Sequence, residues 1–142
     1  MPTIAKAADA AQFLSLVPRL LGFVPTRSLV LVPMCRGRSL GALRVDLPVD
    51  GDSAVGDTVA ATTIGMMCRI AEADAAMVVV YTDAGITTAL PHREFIGTLL
   101  ARADACGLAV PDALVVAADG WASYLDGDVS TGAHSLAELG DP

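Results

Sequence analysis

The chain lacks a basic face. Its 142 residues carry nine Lys and Arg against sixteen Asp and Glu, a formal net charge of −7. Lys6 is the only lysine, and the arginines at 19, 27, 36, 38, 44, 69, 93 and 102 are scattered. Nucleic acid is met first through clustered positive charge on its phosphates, so no such partner is expected. Cysteine is scarce too. Cys35, Cys68 and Cys106 are odd in number and widely spaced, with no Cys-x-x-Cys. That pattern argues against a disulfide framework and against a thiolate zinc site. Cys68 and Cys106 fall in helical patterns and read as small core residues. No apolar run approaches the ~20 residues that span a bilayer. No charged start leads into an apolar run and a cleavage site, so the expectation is a cytoplasmic protein with reduced thiols and no membrane partner. The chain also has no Gly-x-Gly-x-x-Gly after a strand, no Walker loop and no Gly-x-Ser-x-Gly elbow. Its two histidines, His92 and His134, are far apart and define no nucleophile–base pair.

What is present in excess is aliphatic residues. The chain is 54% hydrophobic with a mean hydropathy of +0.57, high for a soluble monomer of this length. Such a composition predicts either a large core or an apolar surface that meets a second subunit, and a homo-oligomer is expected.

The stretch "LVPRLLGFVPTRSLVLV", residues 16–32, concentrates this character and interrupts it with two prolines and a glycine. Phe13, Leu16, Val17, Leu20 and Leu21 recur at helical spacing over residues 7–21. Pro18 predicts a kink or two short helices with Ser15 as a cap, and Gly22 a left-handed end. Pro25 and Thr26 then turn the chain into a strand, "SLVLV". A second strand, residues 40–48, alternates Leu43, Val45 and Leu47 with Arg44 and Asp46, and the pair reads as a hairpin. A helix to about residue 73 follows, with Ser53 or Asp52 as cap and a stripe of Val55, Val59, Thr63, Met66, Met67 and Ile70. "AAMVVVYTD", residues 75–83, is continuously apolar before its last two residues, as in a strand covered on both faces. Pro91 opens a third helix whose buried face is Phe95, Ile96, Leu99, Leu100 and Ala103, ended by Gly107. "ALVVAAD" and "WASYL" (121–125) supply two more strands around a turn at Asp119–Gly120.

The expected fold is therefore α/β: one domain over residues 1–125, with a mixed five-stranded sheet, a parallel centre, antiparallel edge hairpins and helices packed on its faces. Residues 126–142 read as a polar tail, mobile or ending in a short helix from the capping-box pattern of Ser135 and Glu138.

The segments "LLGFVPTRSLVLV", "RVDLP" and Trp-x-Ser-Tyr at 121–124, within a similarity running from Phe13 to Leu125, resemble a bacterial domain-of-unknown-function family, the one numbered 4192. In that family the tryptophan–tyrosine segment tends to run into a cysteine- and proline-rich stretch; "DGDVSTGAHS" stands there in this chain. The resemblance implies a bacterial cytoplasmic protein and no particular activity. The excess of Arg over Lys and the abundance of Ala agree with a GC-rich genome.

Candidate chemistry gathers at strand ends. Asp46, Asp83 and Asp119 each close a strand, and in open sheets ligands bind outside the carboxyl ends. Three carboxylates there are a candidate set for magnesium alongside phosphate oxygens. Arg44 is a candidate ligand for phosphate or a partner for a carboxylate, and His92 is expected on the same side. The alternative for Asp83 and Asp119 is ordinary turn chemistry, and for Arg44 with Asp46 a surface ion pair. Trp121 and Tyr124 are read as surface aromatics on an edge hairpin, fit for a protein interface. Two functions follow. The first is a non-catalytic module that self-associates or meets a protein partner and needs no cofactor. The second is a magnesium-assisted enzyme or sensor of a small phosphorylated ligand.

Overall fold

A computed structural model describes residues 13–23, 25–36, 38–48, 53–83, 92–117 and 120–124. The sheet is organised around β1 (Ser28–Cys35), whose first six residues are all buried. It pairs antiparallel with β2 (Arg38–Ser39) and β3 (Leu43–Asp46) on one side and with β4 (Ala75–Tyr81) on the other. Beyond β4 lie β5 (Ala113–Val116), parallel to it, and β6 (Trp121–Ser123), antiparallel to β5. The order is β2-β1-β4-β5-β6, with β3 beside β1. The fold is thus α/β with a mixed sheet, of six strands among the described residues where five were expected. The expected second strand, residues 40–48, shortens to β3, and β2 forms ahead of it where a loop was expected; between them Gly41 takes φ +135°, open to glycine and strained for other residues.

The parallel pairing of β4 with β5 follows the expected strand–helix–strand unit. The earlier unit differs. β3 and β4 run in the same direction, but β1 lies between them, so the connection through the second helix passes over a strand.

Helix α1 includes residues 13–21, and Pro18 does not split it in two. Gly22 ends it at φ +84°, and its N–H bonds the Pro18 carbonyl at 2.8 Å. Among the described residues of this helix Leu14 and Val17 are buried, whereas Leu16 is exposed. Helix α2 (Ser53–Cys68) buries Gly56, Ala60, Thr63, Ile64 and Met67; Thr63 and Met67 belong to the expected stripe, but Val55 is exposed, and Val59, Met66 and Ile70 are half-buried. The cause is a close approach to α3 (Arg93–Ala105). A Cβ at Gly56 would stand 3.3 Å from Cδ1 of Phe95, so small residues face the neighbouring helix. On α3, Phe95, Ile96, Leu99 and Ala103 are buried as the periodicity predicts, Leu100 is half-buried, and Gly107 follows at φ +76°.

Two cores result. On one face Leu29, Leu31, Val78, Val80, Ala113 and Val115 pack against α2 and α3. On the other Val30, Val32, Val79, Tyr81, Leu114 and Trp121 pack with Leu14 and Val17 of α1. β4 contributes to both, which is why its sequence does not alternate. Buried Asp112 ties β6 to β5: its Oδ1 accepts the Ser123 hydroxyl at 2.5 Å and the Ala113 N–H at 2.9 Å.

Cys68 and Cys106 lie at the solvent, not in the core as the helical pattern suggested, because each falls where its helix ends. Asp52, Pro91 and the tail 126–142 lie outside the described residues, and so does the side chain of Ser53.

Candidate functional site

The carboxyl ends of β3 and β4 and the start of β1 meet at one edge, since Ser28 pairs with Asp46 on one side and with Tyr81 on the other. A groove of about 540 Å³ opens there, lined by Thr26, Arg27, Arg44, Asp46, Leu47 and Asp83. Alternation puts Arg44 and Asp46 on the face that carries α1, because Arg44 stands opposite Val30 and Asp46 opposite Ser28. Two of the three expected strand-end carboxylates therefore line the same groove. Asp119 lies outside the described residues.

Each carboxylate is held by an arginine. Nη2 of Arg44 contacts Oδ1 of Asp46 at 2.8 Å, and Nε of Arg27 donates to Oδ2 of Asp83 at 2.7 Å. A relay behind Arg44 fixes its plane: Nε donates to the Ser28 hydroxyl at 2.7 Å, and that hydroxyl donates to the Thr26 carbonyl at 2.7 Å. Arg44 is the more enclosed of the two arginines, its side chain 33% exposed against 78% for Arg27. Arg27 adopts φ 45°, a left-handed conformation that costs a non-glycine residue about 1–3 kcal/mol. Its carbonyl accepts the Leu47 N–H at 3.1 Å, which ties the entry of β1 to the exit of β3.

The groove is formally neutral, with two cations and two anions. Arg44 with Asp46 realises the expected same-strand ion pair. Among the described residues no three His, Cys, Asp or Glu side chains gather as a metal-binding group.

His92 does not line the groove. It is buried at the start of α3 with φ 58°, and its carbonyl accepts the Ile96 N–H at 3.0 Å. Trp121 is not a surface aromatic: it is 1% exposed and packs in the α1-side core. The edge position that suggested exposure holds, but the ring turns inward. Tyr124 is half-buried against the opposite core.

Thr26 and Arg27 line the groove although Thr26 reads as a turn residue and Arg27 as one of the scattered arginines. The signal was faint. "VPTRS" marks a turn, and a left-handed arginine inside it is invisible to periodicity. Arg27 would attract notice only by being placed opposite Asp83, fifty-six residues away.

The sequence profile of the domain of unknown function DUF4192 matches residues 11–138. The chain belongs to that family. No curated protein matches it. Among the described residues no helix is long and apolar enough to cross a membrane.

Proposed function

We propose that this domain binds a small phosphorylated ligand in the groove at the carboxyl edge of its sheet, with Arg44 and Arg27 as the phosphate-facing groups. One observation carries the reading: two arginines from different elements, one of them backed by a hydroxyl relay, converge on one groove with their carboxylate partners. A guanidinium has five N–H donors in a planar fork. The contacts described above use one from Arg27 and two from Arg44. A phosphate arriving at the rim has donors to meet, and a divalent cation carried with it would meet Asp46 and Asp83 on the same groove.

The test is titration of the full chain with pyrophosphate, with and without magnesium, followed by calorimetry and Tm. Saturable binding that raises Tm, and that falls at least tenfold in Arg27→Ala/Arg44→Ala, supports the reading. No heat and an unchanged Tm at millimolar pyrophosphate in both arms would end it. A gain that appears only with magnesium assigns the carboxylates to a metal.

A second reading, self-association or docking of a protein partner, is favoured by Leu16 and Phe23, 40% and 51% exposed at the α1 end of the molecule. The buried Trp121 takes no part in it. Sedimentation at micromolar concentration should show a dimer that Leu16→Ser/Phe23→Ser dissociates. A strict monomer removes the self-association form.

A further inference from the structure

We propose that Cys68 and Cys106 are a reversible disulfide site that fastens α2 to α3, with a hydroperoxide as the oxidant. Topology brings them together. α2 leaves the carboxyl end of β3 and returns to the start of β4, and α3 leaves the carboxyl end of β4 and returns to the start of β5. These three strands run in one direction, so the two helices run side by side in the other and finish at the same end of the sheet. They pack directly, with Phe95 against Gly56 and with Ala60, Ile64, Met67, Leu99 and Ala103 in one core. Cys68 is the last residue of α2, and Cys106 is the cap of α3, with its N–H turned to the carbonyls of Arg102 and Ala103.

Both thiols are exposed, at the same end of two helices that pack directly on each other. The Cys68 thiol is pushed above its ordinary value, first by desolvation and then by its hydrogen bond to Cys106 and the like charge there. Cys106 takes the attacking role. Its thiolate attacks a peroxide oxygen, the O–O bond breaks, and a sulfenic acid and water or an alcohol form. Cys68 then attacks that sulfur, the S–O bond breaks, and its proton leaves with the hydroxide as water. Two thiols give up two electrons and two protons, and the peroxide is reduced. An excess of a small thiol reverses the step by exchange.

Cys35, half-buried at the end of β1, serves as the internal control. The full chain is treated with one to two equivalents of hydrogen peroxide and followed by thiol titration, non-reducing peptide mass spectrometry and Tm. The expected result is a fall from three free thiols to one, a peptide pair joined through Cys68 and Cys106, and loss of two hydrogens. Tm should rise by roughly 5–15 °C, because the bridge closes a long loop through β4 and α3. Cys35→Ser should behave the same, and Cys68→Ser and Cys106→Ser should lose both the cross-link and the gain. Because the peptide map reads the unaltered protein, it decides the matter even if a variant folds poorly. Three thiols left intact, oxidation to sulfinic acid without a cross-link, a bridge to Cys35, or bridging between chains would each overturn the proposal.

Discussion

The two faces of the sheet are closed by different means. One is covered by α2 and α3, whose small residues let the helices approach each other, and its core is aliphatic apart from Phe95 and Tyr124 at its border. The other is covered, among the described residues, by α1, and its volume is filled from the sheet itself by Trp121 and Tyr81. Where a pair of helices spans the sheet, aliphatic side chains fill the gap. Where one helix does, aromatic rings from the strands make up the breadth. The α1 face thus depends on a few large aromatic side chains, and the α2–α3 face on many aliphatic ones.

Substitutions can break or sharpen this contrast. Trp121→Ala should have the largest effect, about 4 kcal/mol of lost stability by chemical denaturation, since a fully buried ring leaves a large cavity. Leu99→Ala on the opposite face should cost about 3 kcal/mol. If Trp121→Ala costs less than about 1 kcal/mol, the α1 face is not a true core and the comparison fails.

A smaller effect comes from Tyr81. Burial pushes its phenol well above its ordinary value near 10. The folded chain thus keeps a proton that the unfolded chain releases, so stability present below about pH 10 is lost as pH rises above it, at about 1.4 kcal/mol per pH unit. Relative to pH 8, Tyr81→Phe should lose about 1 kcal/mol less than the native chain at pH 11. Equal alkaline slopes would mean that water reaches Tyr81 and that this face is open.

Much of this architecture was legible in the residues. Continuous aliphatic character in "AAMVVVY" placed that strand centrally, and alternation of Leu43, Val45 and Leu47 with Arg44 and Asp46 gave β3 its two sides. The spacing of Phe95, Ile96, Leu99 and Ala103 gave the buried face of α3. The stripe on α2 was right at Thr63 and Met67 and missed Gly56 and Ala60, because large side chains were weighted over the small ones that contact with α3 selects. Strand order was not readable: nothing local in β3 or β4 says that β1 lies between them. For the site, Asp46, Asp83 and Arg44 were visible as strand-end charges. Arg27 was not, since its part depends on a left-handed backbone and a partner far along the chain. Trp121 was misplaced because position at an edge says which strand neighbours a residue has, not which way its ring turns.

The placement of β1 also bears on how the molecule is made. Among the described strands it is the first to be synthesised, and each later one joins at a margin already available: β2 and β3 on one flank, then β4, β5 and β6 in turn on the other. No newcomer has to be threaded between partners that have already paired, so the sheet can grow outward from its middle in the order of synthesis.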